Sequence, residues 1–274
     1  MKKIPVVLIA ATRLARIAFH LVKGALIVLL LFPRVTERER RLLKQRWSGQ
    51  VLDIFGIERR VQGIIDGTMR VANHVSWLDI FVINAEVPSI FVAKDEVRGW
   101  PLIGWLSART DTIFMRRDAR KAARRTAQQV AVTLESGAHV VIFPEGTTSD
   151  GRQVLPFYSA LLQAAVDSGT PVQPVLIRYE RACGTPSDSP VFCGDTSLLE
   201  SMWRIACAQG EQRFSVRVVL LPACSTKVCE RRVLADRLWH DIVRALADLP
   251  SAPTPCDRRC VRQYPCSCLP SPRS

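Results

Sequence analysis

Six short runs rich in β-branched and aromatic residues recur along the middle of the chain, at 69–72, 90–93, 112–115, 140–143, 172–177 and 214–221. Stretches long enough for helices separate most of them, and strands that alternate with helices build α/β folds. The expected architecture is a single mixed sheet flanked by helices. The clearest helical pattern spans 119–136, with Asp118 as N-cap, Ala123, Ala127, Val130 and Leu134 as a buried stripe, and Gly137 suited to a left-handed C-cap. Further helices are predicted at 157–167 and 227–249. The domain layout that follows is an N-terminal helical segment over 1–60, a folded α/β domain over 61–249 and a Cys- and Pro-rich tail over 250–274. That tail has no periodic pattern and is expected to be disordered.

The N-terminal segment is apolar but interrupted. Arg13, Arg16 and Lys23 break it up, and the longest unbroken apolar run covers only residues 24–32, whereas crossing a bilayer takes about 20. A shallow or re-entrant membrane anchor fits this pattern better than a clean span or a cleavable signal peptide, because no small-residue cleavage site follows the apolar run. Residues 37–55 then place Leu42, Leu43, Trp47, Val51 and Leu52 on one helical stripe among basic residues. Such a helix either lies on an anionic surface or packs on the folded domain. Lys and Arg number 38 against 25 Asp and Glu, a net charge of +13 that attracts polyanions. Aromatic residues are only 7% and no recognition-helix signature is present, so an anionic membrane is favoured over nucleic acid. The nine cysteines all lie beyond residue 182 at irregular spacing, which points to a reducing compartment. Cys256, Cys260, Cys266 and Cys268 fit no common zinc spacing, and no metal is expected.

The segment Asn73-His74-Val75-Ser76-Trp77-Leu78-Asp79 follows one predicted strand and leads into an apolar run. Residues five apart on a continuous helix point about 140° away from each other, so His74 and Asp79 meet only if His74 stands before the helix. Ser76 is placed as the N-cap, with Asp79 in the first turn through an S-x-x-D capping box. Asp79 can then take the Nδ1 proton of His74 and leave Nε2 as a general base. A structural histidine is the plainer reading of the same residues. A Ser-His-Asp triad is disfavoured because Ser76 serves as the cap and no G-x-S-x-G elbow exists.

The second segment, Phe143-Pro144-Glu145-Gly146-Thr147-Thr148-Ser149, follows another strand, where α/β proteins place ligand-binding loops. Gly146 allows close backbone approach. Glu145, Thr147, Thr148 and Ser149 offer acceptors and hydroxyl donors to a polar head group, although an ordinary polar turn has the same composition.

Together the two segments resemble the first and third signature blocks of the glycerolipid acyltransferase family, N-H-x-x-x-x-D and F-P-E-G-T. The stretch from Thr112 to Arg117 is similar to the second block, and Val172-Gln173-Pro174-Val175 to the fourth. The resemblance implies that His74 and Asp79 form the catalytic dyad, that Arg116 and Lys94 bind the acceptor phosphate, and that Glu145, Gly146, Thr147, Thr148 and Ser149 contact the acceptor. It associates Pro174 with donor binding and pocket shape. One departure stands out: many lysophosphatidate enzymes carry Arg where this chain has Thr148, and the run from Glu145 to Gly151 looks like that of lyso-ornithine lipid acyltransferases.

The implied activity is O-acyl transfer from acyl-CoA or acyl carrier protein, as co-substrate, to the free hydroxyl of 1-acyl-sn-glycerol-3-phosphate. Phosphatidate is then the product, no further cofactor is needed, and the enzyme sits on the cytoplasmic face of a bacterial inner membrane. Lyso-ornithine lipid is the alternative acceptor. A non-enzymatic lipid-binding protein and a thioesterase acting on water are the readings from other classes.

Overall fold

A ten-residue strand with nine buried positions runs through the middle of the computed structural model. The structure describes residues 5–116, 120–227 and 230–250. In chain order the strands are β1 (Glu58–Gln62), β2 (Met69–Ala72), β3 (Ile90–Lys94), β4 (Ile113–Met115), β5 (Val140–Ile142), β6 (Val172–Arg181) and β7 (Phe214–Leu220). The α-helices are α1 (Val6–Leu26), α2 (Glu37–Phe55), α3 (Asp79–Glu86), α4 (Ile103–Arg109), α5 (Arg120–Glu135), α6 (Gln163–Ser168), α7 (Leu198–Cys207) and α8 (Arg231–Ala247).

The strands form one sheet in the order β1-β7-β6-β2-β5-β3-β4. Every neighbouring pair is parallel except β6 and β7, which run antiparallel. The mixed sheet flanked by helices expected from the sequence is therefore what the chain forms. Side chains alternate between its two faces, as the pleat requires. Met69 and Val71 of β2 join the apolar cluster under α5, α6 and α8, while Ala72 joins the cluster beneath α1, α2, α3 and α7.

Strand β1 has no counterpart among the predicted runs. Its sequence, ERRVQ, is polar because it is an edge strand paired only with β7, where charged side chains block further pairing. Two predicted helices start later than expected. Residues 155–158 are held over a neighbouring loop, with Leu155 N donating to Glu145 Oε2 at 3.3 Å and Tyr158 N to Pro144 O at 2.9 Å, so α6 begins only at Gln163 after a 3₁₀ turn. Cys224 exchanges two backbone hydrogen bonds with Val172 and keeps its segment extended; α8 begins at Arg231. Helix α5 ends on Gly137 with φ of 77°, and its expected cap, Asp118, lies outside the described residues, as does the tail from 251 onward.

The N-terminal segment is one helical stretch: α1 continues through a π turn and a 3₁₀ turn to Arg34, and Val6–Arg34 is long and apolar enough to cross a membrane. One side of α1 packs on the domain. Arg13 points into it and donates to the carbonyls of Ala206 and Ala208, and buried His20 stacks on Trp47 of α2 at 5.0 Å. Helix α2 opens with a capping box between Thr36 and Glu39 and packs on α3. Of its apolar stripe, Val51 and Leu52 are buried and Leu42 is exposed, so the carboxyl half belongs to the domain core.

Candidate active site

Strand β2 ends at Ala72, and the next residue extends the sheet by other means. Asn73 Nδ2 donates to Ile177 O at 2.9 Å and its Oδ1 accepts from Ile177 N at 2.7 Å, so a side chain supplies one more rung between β2 and β6. The backbone is thereby freed to leave the sheet at His74. The His74 ring lies flat on Phe143, with centroids 4.0 Å apart and planes 14° from parallel, which fixes its orientation.

His74 Nδ1 lies 2.8 Å from Asp79 Oδ2. A carboxylate accepts and does not donate, so Nδ1 carries the hydrogen, and the lone pair is on Nε2. Asp79 is fully buried at the first residue of α3. Its Oδ2 also accepts from Val75 N at 2.8 Å and Ser76 N at 3.0 Å, and its Oδ1 from the Tyr179 hydroxyl at 2.6 Å. Burial, reinforced by the adjacent Asp79 carboxylate, pushes the Tyr179 phenol well above its ordinary value and keeps it a donor.

Ser76 does not cap the helix as predicted. Leu78 precedes α3 in helical conformation, and Ser76 Oγ receives only a long 3.4 Å contact from Leu78 N. The Asp79 carboxylate reaches back instead to satisfy the turn's N–H groups, because a buried anionic acceptor outcompetes a hydroxyl.

Glu145 follows β5 and is 3% exposed. Its Oε1 accepts from His74 N at 2.9 Å and its Oε2 from Leu155 N at 3.3 Å. Burial pushes its carboxyl up to about 7 against the pull of these donors. Both Glu145 oxygens thus accept from backbone N–H groups, and the side chain holds the backbone of His74 in place. Thr148 and Ser149 are likewise used internally. The Thr148 hydroxyl donates to Phe192 O, and Ser149 N and Oγ donate to His74 O at 2.8 and 3.3 Å. The physical reason is that the loop after β5 packs against the loop after β2 and must satisfy its backbone groups. Thr147 remains exposed, and Gly146 stands beside it with φ of 65°.

Lys94 is the last residue of β3, in register with Met115, and exposed Arg116 follows directly after β4. Both stand at the carboxyl edge of the parallel strands, in the row β2, β5, β3, β4. At about 4.8 Å per strand, β4 lies roughly 14 Å along that edge from β2. Pro174 sits inside β6, opposite Val71 and buried, where its carbonyl accepts from Leu221 N at 3.0 Å; it shapes the sheet and not an open surface.

Sequence reasoning missed Tyr179, and it gave Asn73 and Phe143 no role of their own although both lie in the two motif segments. A tyrosine within an otherwise buried strand was the available signal, since its hydroxyl needs a partner there. Among the described residues no group of three His, Cys, Asp or Glu side chains could hold a metal ion.

The acyltransferase family profile matches residues 60–178. The chain is similar to a lyso-ornithine lipid O-acyltransferase of Pseudomonas aeruginosa, 37% identical over 212 residues, which are 76% of this chain and 79% of that protein. It is also similar to a 1-acyl-sn-glycerol-3-phosphate acyltransferase of Neisseria meningitidis, 35% identical over 184 residues, covering 67% and 71% of the two chains. Among solved structures, the 1-acyl-sn-glycerophosphate acyltransferase of Thermotoga maritima matches with a TM-score of 0.65 at 23% identity, over 90% of this chain and 97% of that one. At that identity the match concerns the fold.

Proposed function

This chain belongs to the acyltransferase family, among enzymes of the lysophosphatidate and lyso-ornithine lipid type, and from that premise we propose that His74 is the general base that activates a lysolipid hydroxyl. The observation that carries the reading is the 2.8 Å contact between His74 Nδ1 and buried Asp79, with Nε2 left as the basic nitrogen. Nε2 takes the hydroxyl proton as the oxygen attacks the thioester carbonyl of acyl-CoA or acyl carrier protein. The tetrahedral intermediate then collapses, and the departing thiolate recovers the proton from the imidazolium. No covalent acyl-enzyme is required.

The acceptor in this reading is 1-acyl-sn-glycerol-3-phosphate, and the product is phosphatidate. Its support is the pair Lys94 and Arg116 at the ends of adjacent strands on the same sheet edge as His74, cations suited to a phosphate. The alternative, lyso-ornithine lipid, is favoured by Thr148 in place of an arginine and by the relative in Pseudomonas aeruginosa. The layout read from the sequence is retained in the proposal: residues 1–60 associate with the membrane, 61–249 catalyse, and the active edge faces the cytoplasm.

Two assays test this. His74→Ala is expected to lower acyl transfer by at least about a hundredfold in membranes with normal protein levels; near-normal turnover removes the base assignment. Supplying lysophosphatidate and lyso-ornithine lipid side by side decides the acceptor, and turnover of the second alone overturns the first.

A further inference from the structure

Helix α1 is apolar around most of its surface, yet two of its cations fall on one seam. Arg16 and Lys23 are seven residues apart, within about 20° of each other around the helix and about 10.5 Å apart along it. On one side of the seam lies an exposed apolar stripe that includes Leu8, Phe19, Val22 and Leu26. On the other side His20 is buried against Trp47 of α2. Between the two helices runs an open groove of about 590 Å³, with Arg16, Phe19 and Lys23 on one wall and Gln50, Asp53 and Ile54 on the other.

We propose that this groove binds one anionic phospholipid with a hydroxylated head group, separately from the acceptor site at Lys94 and Arg116. The occupant follows from charge and polarity. Two cations outweigh the single Asp53 carboxylate in the groove, so a phosphate is drawn to the Arg16–Lys23 seam. Arg16 has no hydrogen bond or ion pair among the described residues, and Lys23 Nζ makes only a long 3.4 Å contact to Gln50 Oε1, so both retain donors for phosphate oxygens. Asp53 and Gln50 face the same space and accept from head-group hydroxyls. The acyl chains then lie along the exposed stripe, where Phe19 is 73% exposed. The size of the groove suits one head group and not a continuous lipid surface.

Vesicle co-sedimentation of the full chain tests the proposal, using phosphatidylcholine alone and phosphatidylcholine with about one fifth phosphatidylglycerol. The wild type is expected to bind the anionic vesicles about tenfold more tightly. Arg16→Gln with Lys23→Gln should lose most of that preference and still bind phosphatidylcholine through the apolar stripe. The comparison pair, Arg38→Gln with Arg46→Gln, removes two exposed cations from α2 outside the groove and should keep the preference. All substituted positions are exposed, and circular dichroism melts verify that both variants fold. The site is refuted if the groove variant keeps the preference, or if the comparison pair loses as much, because diffuse charge then accounts for the binding. The readout does not depend on acyl transfer, so failure here leaves the assignment of His74 untouched.

Discussion

One carboxylate does two things at the centre of this molecule. Asp79 orients the His74 ring through Nδ1, and it closes the preceding turn by accepting from Val75 N and Ser76 N. Tyr179 holds its other oxygen at 2.6 Å, a charge-assisted hydrogen bond in a buried site, of the kind worth about 1.5–3 kcal/mol. Tyr179→Phe is therefore expected to reduce turnover about tenfold with little change in KM, because the carboxylate that orients His74 loses one of the donors that hold it. A lower melting temperature with normal turnover would reduce Tyr179 to packing. Glu145 gives a pH signature of its own. Its folded pKa of about 7 lies above the ordinary 4.5, so the folded chain holds this proton more tightly than the unfolded one. The stability it contributes is full below about pH 4.5 and is lost as pH rises through 7, by on the order of 3 kcal/mol. Thermal melts from pH 5 to 8 should show the wild type losing stability relative to Glu145→Gln; parallel curves would contradict the assignment.

At the level of elements, α1 and α2 are joined by a close approach that only glycine permits. A Cβ on Gly24 would lie 2.6 Å from Trp47 Nε1 and 2.8 Å from Cε2, where no atom fits. The same indole donates to His20 O at 3.1 Å, and His20 Nε2 lies 3.0 Å from Trp47 O, so the two residues lock the helices reciprocally. Gly24→Ala favours an isolated helix by about 1 kcal/mol, yet overpacking of this kind costs about 1–3 kcal/mol. The expected outcome is a lower melting temperature and a red-shifted tryptophan emission; a more stable variant would show that α1 is loosely seated. Elements read correctly from sequence were those whose own periodicity decided them, such as α2, whose bounds match the prediction. Those displaced, α6 and α8, have their starts set by hydrogen bonds to distant strands and loops.

For the whole molecule, the parallel direction of β2, β5, β3 and β4 gathers their carboxyl ends on one edge, which is why segments some 70 residues apart converge there. The helical face of the domain is continuous with the same site. Trp77, between His74 and Asp79, donates to Ser201 of α7 at 3.1 Å, and α7 packs along α1. Leu199 and Trp203 of α7 also present exposed apolar side chains. A bilayer engaged by that surface would thus meet an element bonded directly to the turn that carries His74.

The sequence by itself determined the strand runs, the α/β class, the geometric requirement that His74 precede a helix bearing Asp79, and the apolar character of the N-terminus. Each of these rests on local spacing and periodicity, which a linear chain carries in full. Tertiary structure alone decided that Tyr179 and Phe143 hold the dyad and that Glu145, Thr148 and Ser149 serve the fold before any ligand. It also decided that ERRVQ is a strand and that Arg16 and Lys23 border a groove. Those outcomes depend on which distant segment lies opposite. A buried polar group takes the partner that the packing supplies, and only the folded sheet specifies that partner.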